Sequence, residues 1–164
     1  DALTGLPNRR AALERLEQCM ADARDTHTPL TIAFLDVDHF KRINDVHGHE
    51  TGDRVLRHVA RALRHAFRDA DHIARMGGEE FLAILPGAEP VHAQTRIDVL
   101  RVSLQDIGSA LGIAGLQVTL SAGVSALHPL DRDTAALLRR ADSAMYAAKR
   151  GGRDRTETAA AAVA

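Results

Sequence analysis

A chain of 164 residues, 45% apolar and 26% charged, fits one globular domain with a sizeable core. Its net charge of −1 offers no electrostatic reason to bind a nucleic-acid polymer or an anionic membrane, and no run nears the roughly 18 apolar residues of a membrane span. The single cysteine, Cys19, excludes an internal disulfide and a cysteine-built zinc site and fits a reducing, cytoplasmic setting.

Asn8 is placed to cap a first helix over about residues 9 to 25, in which Leu13, Leu16 and Met20 recur near helical spacing. Thr31 to Val37 is β-prone and apolar on both faces, as a central strand is, and it runs into two acids, Asp36 and Asp38. A polar loop with Gly48 and Gly52 then leads to an amphipathic helix marked by Val55, Leu56, Val59, Leu63 and Phe67. Two short strands follow, Ile73 to Met76 and Phe81 to Leu85. Gly77 and Gly78 between them read as a two-residue connection of type I′ or II′, and Glu79 and Glu80 stand at its exit.

Ile97, Leu100, Leu104 and Ile107 share one face of a further helix that stops near Gly108 to Gly112. Leu116 to Val124 reads as a strand, and Leu137, Ala141, Met145 and Ala148 mark a last helix over about residues 133 to 149, closed by Gly151 and Gly152. Thr156 to Ala164, mostly alanine, is expected to be a loose tail. A start at Asp1, already inside a patterned segment, predicts a domain taken from a longer protein with an upstream sensory or dimerisation region.

After the first helix the order is strand, helix, strand, strand, helix, strand. That is the α+β pattern of a ferredoxin-like or polymerase-palm sheet flanked by helices, here with an extra N-terminal helix. A right-handed crossover makes the second strand parallel to the first, and the hairpin returns the third antiparallel beside the first. Asp36 and Asp38 are therefore expected to face Glu79 and Glu80. Acids converging from two segments repel unless a cation lies between them, and an all-oxygen set suits Mg²⁺ or Mn²⁺ completed by phosphate oxygens. The plainer alternative is a strand-end cap and two solvated glutamates.

Three stretches carry a resemblance. Asp1-Ala2-Leu3-Thr4-Gly5-Leu6-Pro7-Asn8-Arg9-Arg10, then Phe34-Leu35-Asp36-Val37-Asp38-His39-Phe40-Lys41-Arg42-Ile43-Asn44-Asp45, then Gly77-Gly78-Glu79-Glu80-Phe81 resemble, in order and spacing, the signatures of the GGDEF diguanylate cyclase family. The resemblance spans about residues 1 to 155 and implies a palm-like fold related to adenylyl cyclases. It also implies that two GTP condense to cyclic di-GMP and two pyrophosphates in a two-fold homodimer, with two Mg²⁺ or Mn²⁺ per active site.

Carried over by residue, it makes Asp36, the Val37 carbonyl, Glu79 and Glu80 the metal ligands, and Glu79 or Glu80 a proton acceptor, the two roles being left undivided. Lys41 would meet phosphate and stabilise the transition state. Asn44 and Asp53 would read the guanine edge with Leu56 nearby and Phe40 as pocket wall. His49 and the backbone of Gly77 and Gly78 would touch the nucleotide, and Lys149 with Arg153 would hold the β- and γ-phosphates. Asp53 at a helix start and Lys149 and Arg153 at a helix end have plainer readings as cap and dipole partners.

Upstream of the turn, Arg68 and Asp71 match the Arg-x-x-Asp product-inhibition site, where cyclic di-GMP would bind, with Arg75 as a further cation. In the closing segment Gly152-Arg153-Asp154, aspartate follows the arginine where the family more often has asparagine. A non-catalytic domain that binds GTP or cyclic di-GMP is the main alternative, and another palm enzyme such as a mononucleotide cyclase the third.

Overall fold

The computed structural model describes residues 1–160. Five strands form one sheet: β1 (Leu30–Val37), β2 (His72–Gly77), β3 (Glu80–Pro86), β4 (Leu120–Ala126) and β5 (Arg155–Thr158), in the order β2-β3-β1-β4-β5. All pairings are antiparallel except β4 with β5, so the sheet is mixed. Among the described residues six helices flank it: α1 (Arg9–Thr26), α2 (Phe40–His47), α3 (His49–Ala66), α4 (Pro90–Leu104), α5 (Ile107–Leu111) and α6 (Thr134–Arg150).

Both faces are covered, which is why β1 reads as an unbroken apolar run. Ala33, Leu35 and Val37 of β1 and Phe81, Ala83 and Leu85 of β3 enter one core with Val55, Val59 and Leu63 of α3 and Ile97 and Leu100 of α4. The alternate residues, Leu30, Ile32, Leu82 and Ile84, pack on the other face with Leu16 and Met20 of α1 and Leu137 and Ala141 of α6. The Asn8 side chain caps α1 by accepting from the Ala11 N–H at 3.1 Å, and buried Leu16, Cys19, Met20 and Ala23 keep helical spacing to its end.

Four local expectations are corrected. The polar loop after Asp38 begins with helix α2, whose eight residues bury only Phe40 and Ile43 and so carry too short an apolar stripe to read as a helix. The strand placed at Leu116 starts at Leu120, because β1 ends at Val37 opposite it and supplies no ladder further along. Leu116 and Val118 still point inward, at 4% and 1% exposure, so the alternation is real although unpaired. The third helix is two, α4 and α5. Finally, Arg155–Thr158 of the expected tail add as a parallel strand beside β4, while residues 161–164 lie outside the described residues.

The hairpin is displaced by one residue. Gly77 pairs with Glu80, leaving Gly78 and Glu79 as the turn. Gly78 has φ +47° and Glu79 does not have positive φ, the sign pattern of type II′. The outer edge of β2 is protected at Arg75, whose N–H donates to the Pro7 carbonyl at 2.9 Å.

Candidate active site

The antiparallel register puts Asp36 directly opposite Glu80 on β3 and Ser121 on β4, and residues directly opposite share a face. That face is the one α6 covers. Val37 N–H donates to the Glu79 carbonyl at 3.2 Å, continuing the ladder into the turn. Two hairpin acids thus meet the end of β1 although more than forty positions separate them in the chain.

Asp36 is 5% exposed, an unusual depth for a carboxylate, and its Oδ2 lies 2.8 Å from Lys149 Nζ near the end of α6. Burial pushes its carboxyl above the ordinary value, the Lys149 ammonium pulls it back down, and Glu79 and Glu80 add to the rise. Glu79 and Glu80 are half-buried. Among the described residues no three His, Cys, Asp or Glu side chains converge as a complete metal cage. The donor set nonetheless fits a hard cation that needs only one or two carboxylates: it is all oxygen and carries more negative charge than Lys149 balances.

Asp38 departs from the expectation that it faces the hairpin. It is 4% exposed and turned to β4, accepting from Thr119 Oγ1 and Ser121 Oγ at 2.7 Å each and from Asp154 N–H at 3.1 Å. The two acids of Asp36-Val37-Asp38 therefore have different surroundings, one toward Lys149 and the hairpin, the other binding three chain segments together.

Helices α2 and α3 bring Asn44 beside Gly52, one residue before Asp53. A Cβ added at Gly52 would stand 1.9 Å from Asn44 Oδ1 and 3.1 Å from Phe40 Cζ. Phe40 and Leu56 are buried behind them, at 9% and 2% exposure. Asn44 and Asp53 are half-buried, and Lys41, His49 and Arg153 are exposed.

Upstream of the hairpin, the Asp71 side chain is fully buried between two arginines. Arg68 Nη2 donates to Oδ1 at 3.0 Å and Arg96 Nη1 to Oδ2 at 2.7 Å, and Arg68 Nη2 also reaches the Pro86 carbonyl at 3.2 Å. Arg96, on α4, has no signal in the sequence because it lies 25 residues from Asp71 and only the packing of α4 brings it there. Arg75, expected with this pair, instead donates to the Gly78 carbonyl at 2.9 and 2.7 Å and to both Asp1 carboxylate oxygens at 2.9 and 3.1 Å. It braces the hairpin turn, and its contacts run to none of Arg68, Asp71 or Arg96.

A palm-type sheet with a buried carboxylate at the end of its central strand, hairpin acids opposite and a lysine beside it defines a class, that of palm-fold domains. Residues 1–155 match the model of the diguanylate cyclase GGDEF domain, and the chain belongs to that family. The diguanylate cyclase DgcP of Pseudomonas aeruginosa is 45% identical over 97% of this chain, which spans 24% of that protein; TpbB of the same organism is 41% identical over 93%, with 35% of its length spanned. The chain thus spans about a quarter to a third of these curated relatives. The GGDEF domain of DgcB from Caulobacter crescentus, solved in complex with c-di-GMP, superposes with a TM-score of 0.91 at 35% identity, covering 98% of this chain and 93% of that one. The active GGEEF domain of a diguanylate cyclase from Vibrio cholerae gives 0.88 at 33% identity, covering 96% and 99%.

Proposed function

We propose that this domain condenses two GTP into cyclic di-GMP with release of two pyrophosphates, at the interface of a two-fold homodimer. The observation that carries this is the placement of Glu79 and Glu80 against buried Asp36, with Lys149 as the only ion-pair partner of that carboxylate among the described residues. Asp36, the Val37 carbonyl and the two glutamates would hold Mg²⁺ or Mn²⁺, two ions per site. When bound, a divalent ion supplies charge neutralisation at the α-phosphoryl oxygens and at the departing pyrophosphate.

The chain's own residues do the rest. Half-buried Glu79 of the turn, or Glu80 at the start of β3, accepts the proton of an attacking 3′-hydroxyl. Lys41, Lys149 and Arg153 hold phosphate oxygens, so Lys149 exchanges the Asp36 carboxylate for the nucleotide. Asp53 accepts from guanine N1–H and N2–H, while Asn44 offers a donor and an acceptor, a set matched to guanine and not to adenine. His49, Gly77 and Gly78 line the nucleotide. Each 3′-hydroxyl attacks the partner's α-phosphate, so a monomer binds GTP without turnover. A GTP substrate and a lone reduced cysteine fit the cytoplasm, and no helix among the described residues is long and apolar enough to cross a membrane.

The decisive experiment is incubation of the dimerised domain with GTP and Mg²⁺. Cyclic di-GMP is expected; GTP binding without product under dimerising conditions would leave a binding module in place of an enzyme. Gly52 supplies a sharper test of the guanine pocket. Gly52→Ala is expected to keep the fold, since the clash at 1.9 Å is with the end of the Asn44 side chain, the Phe40 ring at 3.1 Å needs to give by only a few tenths of an ångström, and alanine favours a helix. It displaces Asn44, and GTP affinity should fall about tenfold, the worth of one strong hydrogen bond. Unchanged GTP affinity in that variant removes Asn44 from guanine recognition.

Feedback inhibition by cyclic di-GMP at Arg68 and Asp71 completes the proposal. Because Asp71 is committed to Arg68 and Arg96, the half-exposed Arg68 guanidinium is the contact offered to a guanine edge or phosphate. Arg68→Ala is expected to abolish product inhibition, measured as the cyclic di-GMP concentration that halves the initial rate, with the uninhibited rate within about twofold of the parent. An unchanged inhibition constant excludes the site.

A further inference from the structure

Gly152, Arg153 and Asp154 run consecutively at positive φ, +114°, +62° and +44°. Glycine takes this backbone freely and aspartate tolerates it. Arginine does not, and such a conformation persists only where neighbours over-determine it.

Two clamps do so. From one side the Asp154 N–H donates to Asp38 Oδ2, and Asp38 is itself fixed by Thr119 and Ser121. From the other, Arg101 of α4 donates through Nε at 3.0 Å and Nη2 at 2.9 Å to Asp154 Oδ1, and through Nη2 to the Asp154 carbonyl. Asp98, one turn back on α4, holds Arg101 Nη1 at 2.8 Å and accepts from Thr156 Oγ1 at 2.8 Å. Amide, carbonyl and carboxylate of Asp154 are all engaged. The Arg153 side chain, by contrast, is exposed and makes no hydrogen bond or ion pair among the described residues. The turn's backbone is held tightly while its cation is left available.

We propose that Arg101, acting through Asp154, is a positioning residue that sets Arg153 for the nucleotide polyphosphate. This rests on the reading of Lys149 and Arg153 as contacts to the β- and γ-phosphates. The charge of Asp154 gives the pair a second task. A carboxylate beside a phosphate-binding arginine repels the ligand, and the Arg101 guanidinium, 17% exposed, neutralises it at hydrogen-bond distance.

The test compares GTP with GMP, which shares the guanine and α-phosphate but lacks the β- and γ-phosphates. Equilibrium titrations of the full chain with Mg²⁺ and the 3′-deoxy form of each nucleotide, which lacks the attacking hydroxyl and does not turn over, are run for the parent, Arg101→Ala, Asp154→Ala and Asp154→Asn. By charge alone, removing Asp154 tightens GTP; positioning through Asp154 predicts the opposite sign. Asp154→Ala and Arg101→Ala should each lose about tenfold of the preference for GTP over GMP, the scale of a charge-assisted hydrogen bond. Asp154→Asn keeps the acceptor and should retain the preference. Because Asp154→Ala removes the contact from the other end, the test does not depend on Arg101→Ala folding. An Asp154→Ala variant that binds GTP as tightly as the parent overturns the proposal, as does an equal loss of GTP and GMP. A parent with no preference for GTP over GMP overturns instead the underlying assignment of Lys149 and Arg153.

Discussion

Asp36→Asn is expected to lower cyclic di-GMP formation at least about a hundredfold while leaving the fold as stable as the parent or more so. The substitution keeps shape and removes charge. Burial and the neighbouring Glu79 and Glu80 both work against the ionised carboxyl, which Lys149 only partly offsets. A neutral amide relieves that opposition. Lys149 loses its partner but is 28% exposed on its side chain and turns to water at modest cost. What disappears is the anion that, in the proposed function, would gather a divalent ion and a nucleoside triphosphate. Product formation and the unfolding midpoint should be measured on the same preparation. A variant that folds normally and keeps more than about a tenth of the parent rate would remove Asp36 from the reaction, a factor of ten being worth about 1.4 kcal/mol in the barrier.

Gly123→Ala should be the most damaging single methyl group in the chain. Gly123 lies in β4 beneath α6, and a Cβ there would meet the Ala141 carbonyl oxygen at 2.0 Å, the Met145 nitrogen at 2.1 Å and the Ala144 carbonyl carbon at 2.9 Å. All three are backbone atoms, so no rotamer change makes room. The helix must lift from the sheet, which opens the packing of Leu137 and Ala141 on that face and carries Lys149 away from Asp36. Overpacking of this kind costs about 3 kcal/mol or more, a large part of an ordinary domain's stability. Chemical denaturation is expected to show the loss directly. A stability within about 0.5 kcal/mol of the parent would mean that α6 slides over β4 without penalty. At Gly52 the same added methyl meets side-chain atoms alone, the movable end of Asn44 at 1.9 Å and Phe40 Cζ at 3.1 Å, which is why the two glycines differ in expected cost.

Much of the fold is legible in the chain's local patterns. The unbroken apolar runs of β1 and β3, the Asn8 cap and the glycine hairpin each depend on residues close in sequence, where local sterics and composition suffice. The order of elements then places Asp36 opposite the hairpin, because a right-handed crossover leaves one arrangement. Legibility ends where pairing partners decide: α2 is too short to show a stripe, β4 begins where β1 can reach it, and the turn moves one residue because Gly77 pairs with Glu80.

Periodicity, turn chemistry and motif spacing are enough for the β3-β1 pairing, the family and the acids at the hairpin, but not for the parallel strand β5, which reads as a tail. Which neighbour each charge meets is set by packing. Asp38 turned from the hairpin to Thr119, Ser121 and Asp154, Arg75 went to the turn, and Arg96 and Arg101 arrived from α4 on Asp71 and Asp154. The reason is physical: buried or half-buried charges take the partner that packing brings within about 3 Å, and that partner can come from anywhere in the chain.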